Sequence, residues 1–192
     1  LIIQNSILHG CDGAEWKGIQ VYGSNGGQQL NLFECIIADA VVGIQCNSSD
    51  SVQIVRSLVV GGERGVELYN GKSFVFSENI VTASKVAFHT SGYEGSSLIE
   101  ANTFYDVDTA IYFKNDDHSE LNIRCNHFEY NDYAIYSDNT TLKDHGTSSD
   151  VSGNRFISES TLTNHQLHHT GSPMNYYCDS AWVFTLTGGD AT

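Results

Sequence analysis

Leu121-Asn122-Ile123, Asn126-His127-Phe128 and Ala134-Ile135-Tyr136 follow one another between residues 121 and 136, three short stretches separated by polar residues. The first alternates apolar and polar residues with the strand period of two. Each stretch is too short to stand alone as half of a hairpin. The same three elements recur along the chain roughly every 20 to 30 residues, an interval characteristic of stacked repeat architectures.

The first element returns as Leu30-Asn31-Leu32, Val52-Gln53-Ile54 and Phe74-Val75-Phe76. A polar residue, any residue, then Ile, Leu or Phe returns as Asn5-Ser6-Ile7, Glu34-Cys35-Ile36, Arg56-Ser57-Leu58, Glu78-Asn79-Ile80, Asn102-Thr103-Phe104 and Asn154-Arg155-Phe156. A small residue followed by apolar, any, apolar returns as Gly18-Ile19-Gln20-Val21, Gly43-Ile44-Gln45-Cys46, Gly65-Val66-Glu67-Leu68 and Ala110-Ile111-Tyr112-Phe113, with Val86-Ala87-Phe88 as a degenerate copy. Strands this short pair best when the chain winds into a coil and each strand bonds its equivalent one coil above and below. The expected fold is therefore all-β, a parallel β-helix of about six to seven three-stranded coils, roughly 30 Å long at about 4.8 Å per coil. Ile19, Ile44, Val66, Ile111 and Ile135 are expected to form one buried ladder. The recurrent Asn fits a sharp corner, where its amide bonds neighbouring backbone and its backbone tolerates the left-handed conformation; Glu34 and Arg56 are expected to interrupt the ladder of Asn102, Asn126 and Asn154.

These motifs resemble the right-handed parallel β-helix proteins of the pectate-lyase-like superfamily, over about residues 1–160. Residues 161–192 then form a C-terminal extension or cap, in which Ala181-Trp182-Val183-Phe184-Thr185-Leu186 alternates as a strand. The superfamily holds lyases, glycoside hydrolases, tailspikes, adhesins and scaffolds, so the resemblance implies a fold and not an activity.

Composition narrows the classes further. The chain has 192 residues, 40% hydrophobic and 17% charged, enough for one domain with its own core. It lacks any apolar run of the eighteen residues needed to span a membrane. Nine Lys and Arg against 23 Asp and Glu give a net charge of −14, which repels a phosphate backbone and disfavours nucleic acid. The five cysteines show neither zinc spacing nor a disulfide framework. Cys46 and Cys125 read as small core residues, and a Cys11–Cys35 bridge or one to Cys178 stays open.

In superfamily enzymes the substrate lies along the ladder that here carries the Gly-Ile-x-Val copies. Its outward positions read Gln20, Gln45, Glu67, Ala87, Tyr112 and Tyr136, flanked by Lys17, Arg64 and Lys85 at the strand starts and by Tyr22, Tyr69, His89 and Lys114 beyond the ends. Arg64, Glu67, Tyr112, Asp116 and Tyr136 are the candidate substrate-binding residues, able to stack on and hydrogen-bond successive sugars of a glycan. No catalytic residue is assigned. A hydrolase needs paired carboxylates, for which Asp116-Asp117 and Asp144-His145-Gly146 bear a partial resemblance to polygalacturonases. The lyases of the superfamily imply Ca²⁺, but a calcium cage needs six to eight oxygens and Glu67 offers few. His165, His168 and His169 read as a polar tail.

The expected function is an extracellular or cell-surface module that recognises polysaccharide. The alternatives are a structural stalk, adhesin or phage fibre without a site, and a lyase or glycoside hydrolase. Longer polar loops at 10–17, 22–29, 91–97, 115–120 and 138–150 are expected to rim one face. Because Leu1-Ile2-Ile3 already aligns with Leu30-Asn31-Leu32, upstream coils or another subunit are expected to cover the N-terminal end.

Overall fold

The computed structural model describes residues 1–11, 16–23, 27–147, 149–157, 165–179, 182–186 and 189–191, with the side chains at 165–166, 178–179 and from 182 onward excepted. Parts of the loops at 10–17, 22–29 and 138–150, and residues 158–164, lie outside this set. All regular structure among the described residues is strand.

The strands pair in parallel, coil on coil, and never within a coil until the C-terminal hairpin. The first sheet runs Ile2–Gln4, Gln29–Phe33, Ser51–Val55, Ser73–Ser77, Leu98–Glu100 and Asn122–Arg124. The second runs Ile7–His9, Ile36–Ala38, Leu58–Val60, Ile80–Thr82, Thr103–Tyr105, His127–Glu129 and Arg155–Ile157. The third joins Ile19–Tyr22, Val42–Asn47, Arg64–Tyr69, Val86–Ser91, Thr109–Lys114, Tyr133–Leu142 and His165–Gly171, and ends on an antiparallel strand, Gly189–Ala191. This is the parallel β-helix that the repeat predicts.

Its interior is a set of side-chain rows one coil apart. In the third sheet Ile19, Ile44, Val66, Phe88, Ile111, Ile135 and Leu167 are in register and buried. In the second, Phe104, Phe128 and Phe156 stack with ring planes only 6° and 8° apart. Each such side chain withdrawn from water contributes about 1.5–3 kcal/mol.

The corner between the first two sheets uses two adjacent positions where the sequence suggests one. Asn5, Glu34, Arg56, Glu78, Ala101 and Cys125 take a left-handed backbone, with φ between 49° and 56°. Their amides bond the next coil, as in Glu34 N–H to the Val55 carbonyl at 3.1 Å and Cys125 N–H to Ser152 at 2.9 Å. From Glu34 onward the residue after each of these corners points inward and carries the ladder. Cys35 N–H donates to Ser57 Oγ, Ser57 N–H to Asn79 Oδ1, Asn79 N–H to Asn102 Oδ1, Asn102 N–H to Asn126 Oδ1, and Asn126 N–H to Asn154 Oδ1, at 2.8–3.2 Å. Glu34 and Arg56 therefore do not interrupt the ladder; they occupy the corner beside it, and Cys35 and Ser57 continue it.

That one-residue difference changes sides for several motif residues. Ile7, Ile36, Leu58 and Ile80 register with Thr103, His127 and Arg155 and face outward, while Leu8, Ile37, Val59 and Val81 align with the inward phenylalanines. Cys125, expected inside, is an exposed corner residue. Cys11 and Cys35 are both free thiols, and Cys35 Sγ turns inward to the Phe33 carbonyl at 3.2 Å.

Toward the C-terminus Met174–Asp179 pairs antiparallel with Trp182–Leu186. Tyr176 is fully buried, its hydroxyl 2.5 Å from Asn154 Nδ2 and its ring against Phe156 and His145. His168 and His169 belong to the parallel strand His165–Gly171 and not to an irregular tail.

The ladder predicts a measurable cost of cutting one rung. Asn126 donates to the Ile99 carbonyl and to Asn154 Oδ1, and accepts from the Asn102 backbone and side chain. Asn126→Ala strands buried partners in two coils, at about 1–3 kcal/mol for each unpaired group. Thermal unfolding of the variant should fall by roughly 5–10 °C.

Candidate functional site

On the outer face of the third sheet the residues between the buried rows form a continuous line. Register places Gln20, Gln45, Glu67, His89, Tyr112, Tyr136 and His168 in successive coils. Ala87 is absent from this line. It is buried at 0% exposure, one position before Phe88, and His89 stands where Ala87 was expected. The copy escapes the apolar pattern because its second inward position is Thr90, which register places between Leu68 and Phe113. Alignment of Phe88 with Val66 and Ile111 is the sequence signal that places His89 on this line. Lys85 likewise sits one residue ahead of the row of strand starts, which Val86 shares with Arg64.

The line divides into a polar half and an aromatic half. In the first, Tyr22 donates to Gln45 Oε1 at 2.8 Å and Gln45 donates to Glu67 Oε2 at 2.8 Å. Glu67 Oε1 accepts from Tyr69 at 2.9 Å and forms an ion pair with Arg64 Nη1. The same guanidinium nitrogen lies 3.2 Å from Tyr69 Oη and 3.3 Å from His89 Nδ1. Burial works against the charge on Glu67, but His89, Tyr69 and Arg64 outweigh it and hold the carboxyl at about 2. Glu67 is thus a fixed anion with both oxygens engaged.

The second half is a run of rings. His89 stacks on Tyr112 with centroids 4.9 Å apart, Tyr112 meets Tyr136 edge-on at 5.2 Å, and Tyr136 stacks on His168 at 4.2 Å. Tyr133 adds an edge to Tyr136 at 5.2 Å. Tyr112, Tyr136 and His168 are half-buried, whereas His89 is buried.

Of the five candidate residues, Arg64, Glu67, Tyr112 and Tyr136 share this face, and Asp116 does not. Its carboxylate is buried inside the coil, where it accepts from Thr90 Oγ1 at 2.5 Å and Tyr93 N–H at 2.8 Å and lies 3.1 Å from His118 Nε2. After the turn at Asn115, with φ 53°, Asp116 and His118 Nε2 meet beneath Phe74 and Phe113. Asp117, the neighbouring carboxylate, is exposed, and Asp144 caps Asn175 through its backbone and side chain, so these acids do not form one pair. Burial holds His145 near 3 and hence neutral.

Metal chemistry requires several donors converging on one point. Among the described residues no group of three His, Cys, Asp or Glu side chains does so. Burial also pushes the Cys46 thiol up to about 12, far from a ligating thiolate. The calcium implied by superfamily lyases finds no carboxylate cage on this ladder.

The family described as Periplasmic copper-binding protein (NosD) matches residues 3–180. No curated protein and no solved structure matches the chain.

The charge network makes stability acid-sensitive in a defined window. A carboxyl depressed from 4.5 to about 2 stabilises the fold fully above its unfolded value and loses that contribution as pH falls toward about 2. Chemical unfolding of wild type and Glu67→Gln at a series of pH values should show a stability difference that shrinks by on the order of 3 kcal/mol between those limits.

Proposed function

The chain belongs to the NosD family, and from that premise we propose a non-catalytic extracytoplasmic β-helix module that binds an extended polysaccharide along the outer face of its third sheet. The single observation that carries this reading is the line of half-buried rings Tyr112, Tyr136 and His168, backed by the buried His89, spaced by the coil rise and continued by hydrogen-bonding groups at Gln45 and Gln20. Sugars present apolar C–H faces and hydroxyl edges, which match aromatic surfaces with polar tips. A ligand lying along the helix axis meets one such group per coil of about 4.8 Å. An extracellular, surface or periplasmic place accords with the family description.

Binding without hydrolysis is favoured by the ionised state of Glu67 and its distance from Asp138. Glu67 carries no proton near neutrality, so it does not serve as a general acid. Asp138, the carboxylate at the strand end beside Tyr136, is three coils away, about 14 Å by strand spacing and beyond the separation that glycoside hydrolysis uses. The copper of the family description finds no group of three or more His, Cys, Asp or Glu donors among the described residues.

A second reading, a stalk or adhesin that works through contact alone, is favoured by the outward row of Ile7, Ile36, Leu58 and Ile80. Ile7 is 68% and Ile80 48% exposed. If contact is the function, the full chain self-associates with rising concentration in analytical ultracentrifugation, and Ile36→Ser with Ile80→Ser abolishes this.

For the glycan reading, the full chain should be screened on a polysaccharide array and the ligand followed by calorimetry. Tyr112→Ala with Tyr136→Ala should weaken binding about tenfold while leaving the melting temperature nearly unchanged. Unchanged affinity removes the ring line as the binding surface.

A further inference from the structure

Resting on that reading, the charges around the ring line specify the ligand further. We propose that the face selects a neutral polysaccharide over one built of uronic acids. A uronate chain carries a carboxylate on every sugar, and a protein that reads it needs unpaired cations repeated along the axis, best as arginines that grip carboxylates bidentately.

This face lacks that repeat of cations. Arg64, its one guanidinium, already faces the Glu67 carboxylate and the Tyr69 hydroxyl, and the side chain of Glu67 is only 5% exposed. Lys85 is paired with Glu63 at 3.1 Å. Lys17 and Lys114 are exposed and outside the ion pairs, but they lie four coils apart, one ahead of its strand and the other at the end of its strand, with Lys114 directly beside Asp138 in register. Exposed Asp108 and Asp132 precede the strands that bear Tyr112 and Tyr136. The net charge of −14 adds a repulsive field over the whole molecule.

What the face does present is suited to an uncharged sugar. The half-buried rings of Tyr112, Tyr136 and His168 offer surface to C–H faces, and the Tyr112 hydroxyl and the exposed Gln20 amide offer neutral hydrogen-bonding groups. A contact made in this way involves no net ion pairing, so its affinity is nearly independent of salt.

The test is calorimetry of the full chain with cellohexaose and mannohexaose as neutral probes and hexagalacturonate as the uronate probe, each at low and at high sodium chloride. The proposal expects a neutral probe to bind at least about tenfold more tightly than the uronate, equivalent to ~1.4 kcal/mol, with little change on adding salt. It also expects Glu67→Gln, which releases Arg64, to narrow that gap by strengthening uronate binding. Preference for hexagalacturonate that weakens with salt overturns the neutral-ligand proposal and leaves the glycan-binding reading standing. No binding of any probe in either salt overturns both.

Discussion

Every strand of the coils finds its hydrogen-bond partner about one coil away in sequence, and this single constraint organises the molecule. Three-residue strands cannot hold together as hairpins, so the chain must turn sharply three times per coil and return in register. The corners achieve this with left-handed residues, among them Glu34, Asp39 and Ser48 in one coil. Such a conformation costs a non-glycine residue about 1–2 kcal/mol. Here the cost is offset by the amide that each corner sends to the next coil and by the side-chain ladder running from Cys35 to Asn154.

The ladder also explains why the interior accepts polar groups. Asn79, Asn102, Asn126 and Asn154 are buried, yet each amide finds a carbonyl one coil back and most meet the next asparagine. The second inward row of the third sheet turns polar in the same way, with Thr90 held by Asp116 and His118, and Ser137 bonded to His169 at 2.8 Å. Buried polar groups are tolerated when they are paired, and the stacked geometry supplies partners at a fixed spacing. The outer face inherits the same spacing, which is what lines up Glu67, His89, Tyr112 and Tyr136.

Fold and site were legible to different depths. The apolar rows were readable because burial imposes Ile, Val, Leu or Phe at every coil, so Ile19, Ile44 and Val66 announced themselves. The outward line was readable only where its inward neighbours were apolar on both sides. At Thr90 the inner residue is a hydroxyl paired with a distant aspartate, and the strand slipped by two, hiding His89. Asp116 was misplaced for a related reason: local pattern makes an Asn-Asp-Asp-His turn look solvated, and only the contact of Asp116 with Thr90 and Tyr93 draws it inside.

The sequence by itself determined the period, the three strands per coil and the buried ladder, because these depend on burial and alternation, which act residue by residue. It also carried the charge balance that disfavours nucleic acid. Only the tertiary structure decided the register at the corners, where a one-residue shift sends Ile36 and Ile80 to solvent and brings Cys35 and Ser57 into the ladder. It alone separated Asp116 from Arg64 and Glu67, and joined His89 and His168 to the tyrosines. Those outcomes depend on partners more than twenty residues away, and a side chain's role in a solenoid is set by what lies in the coils beside it.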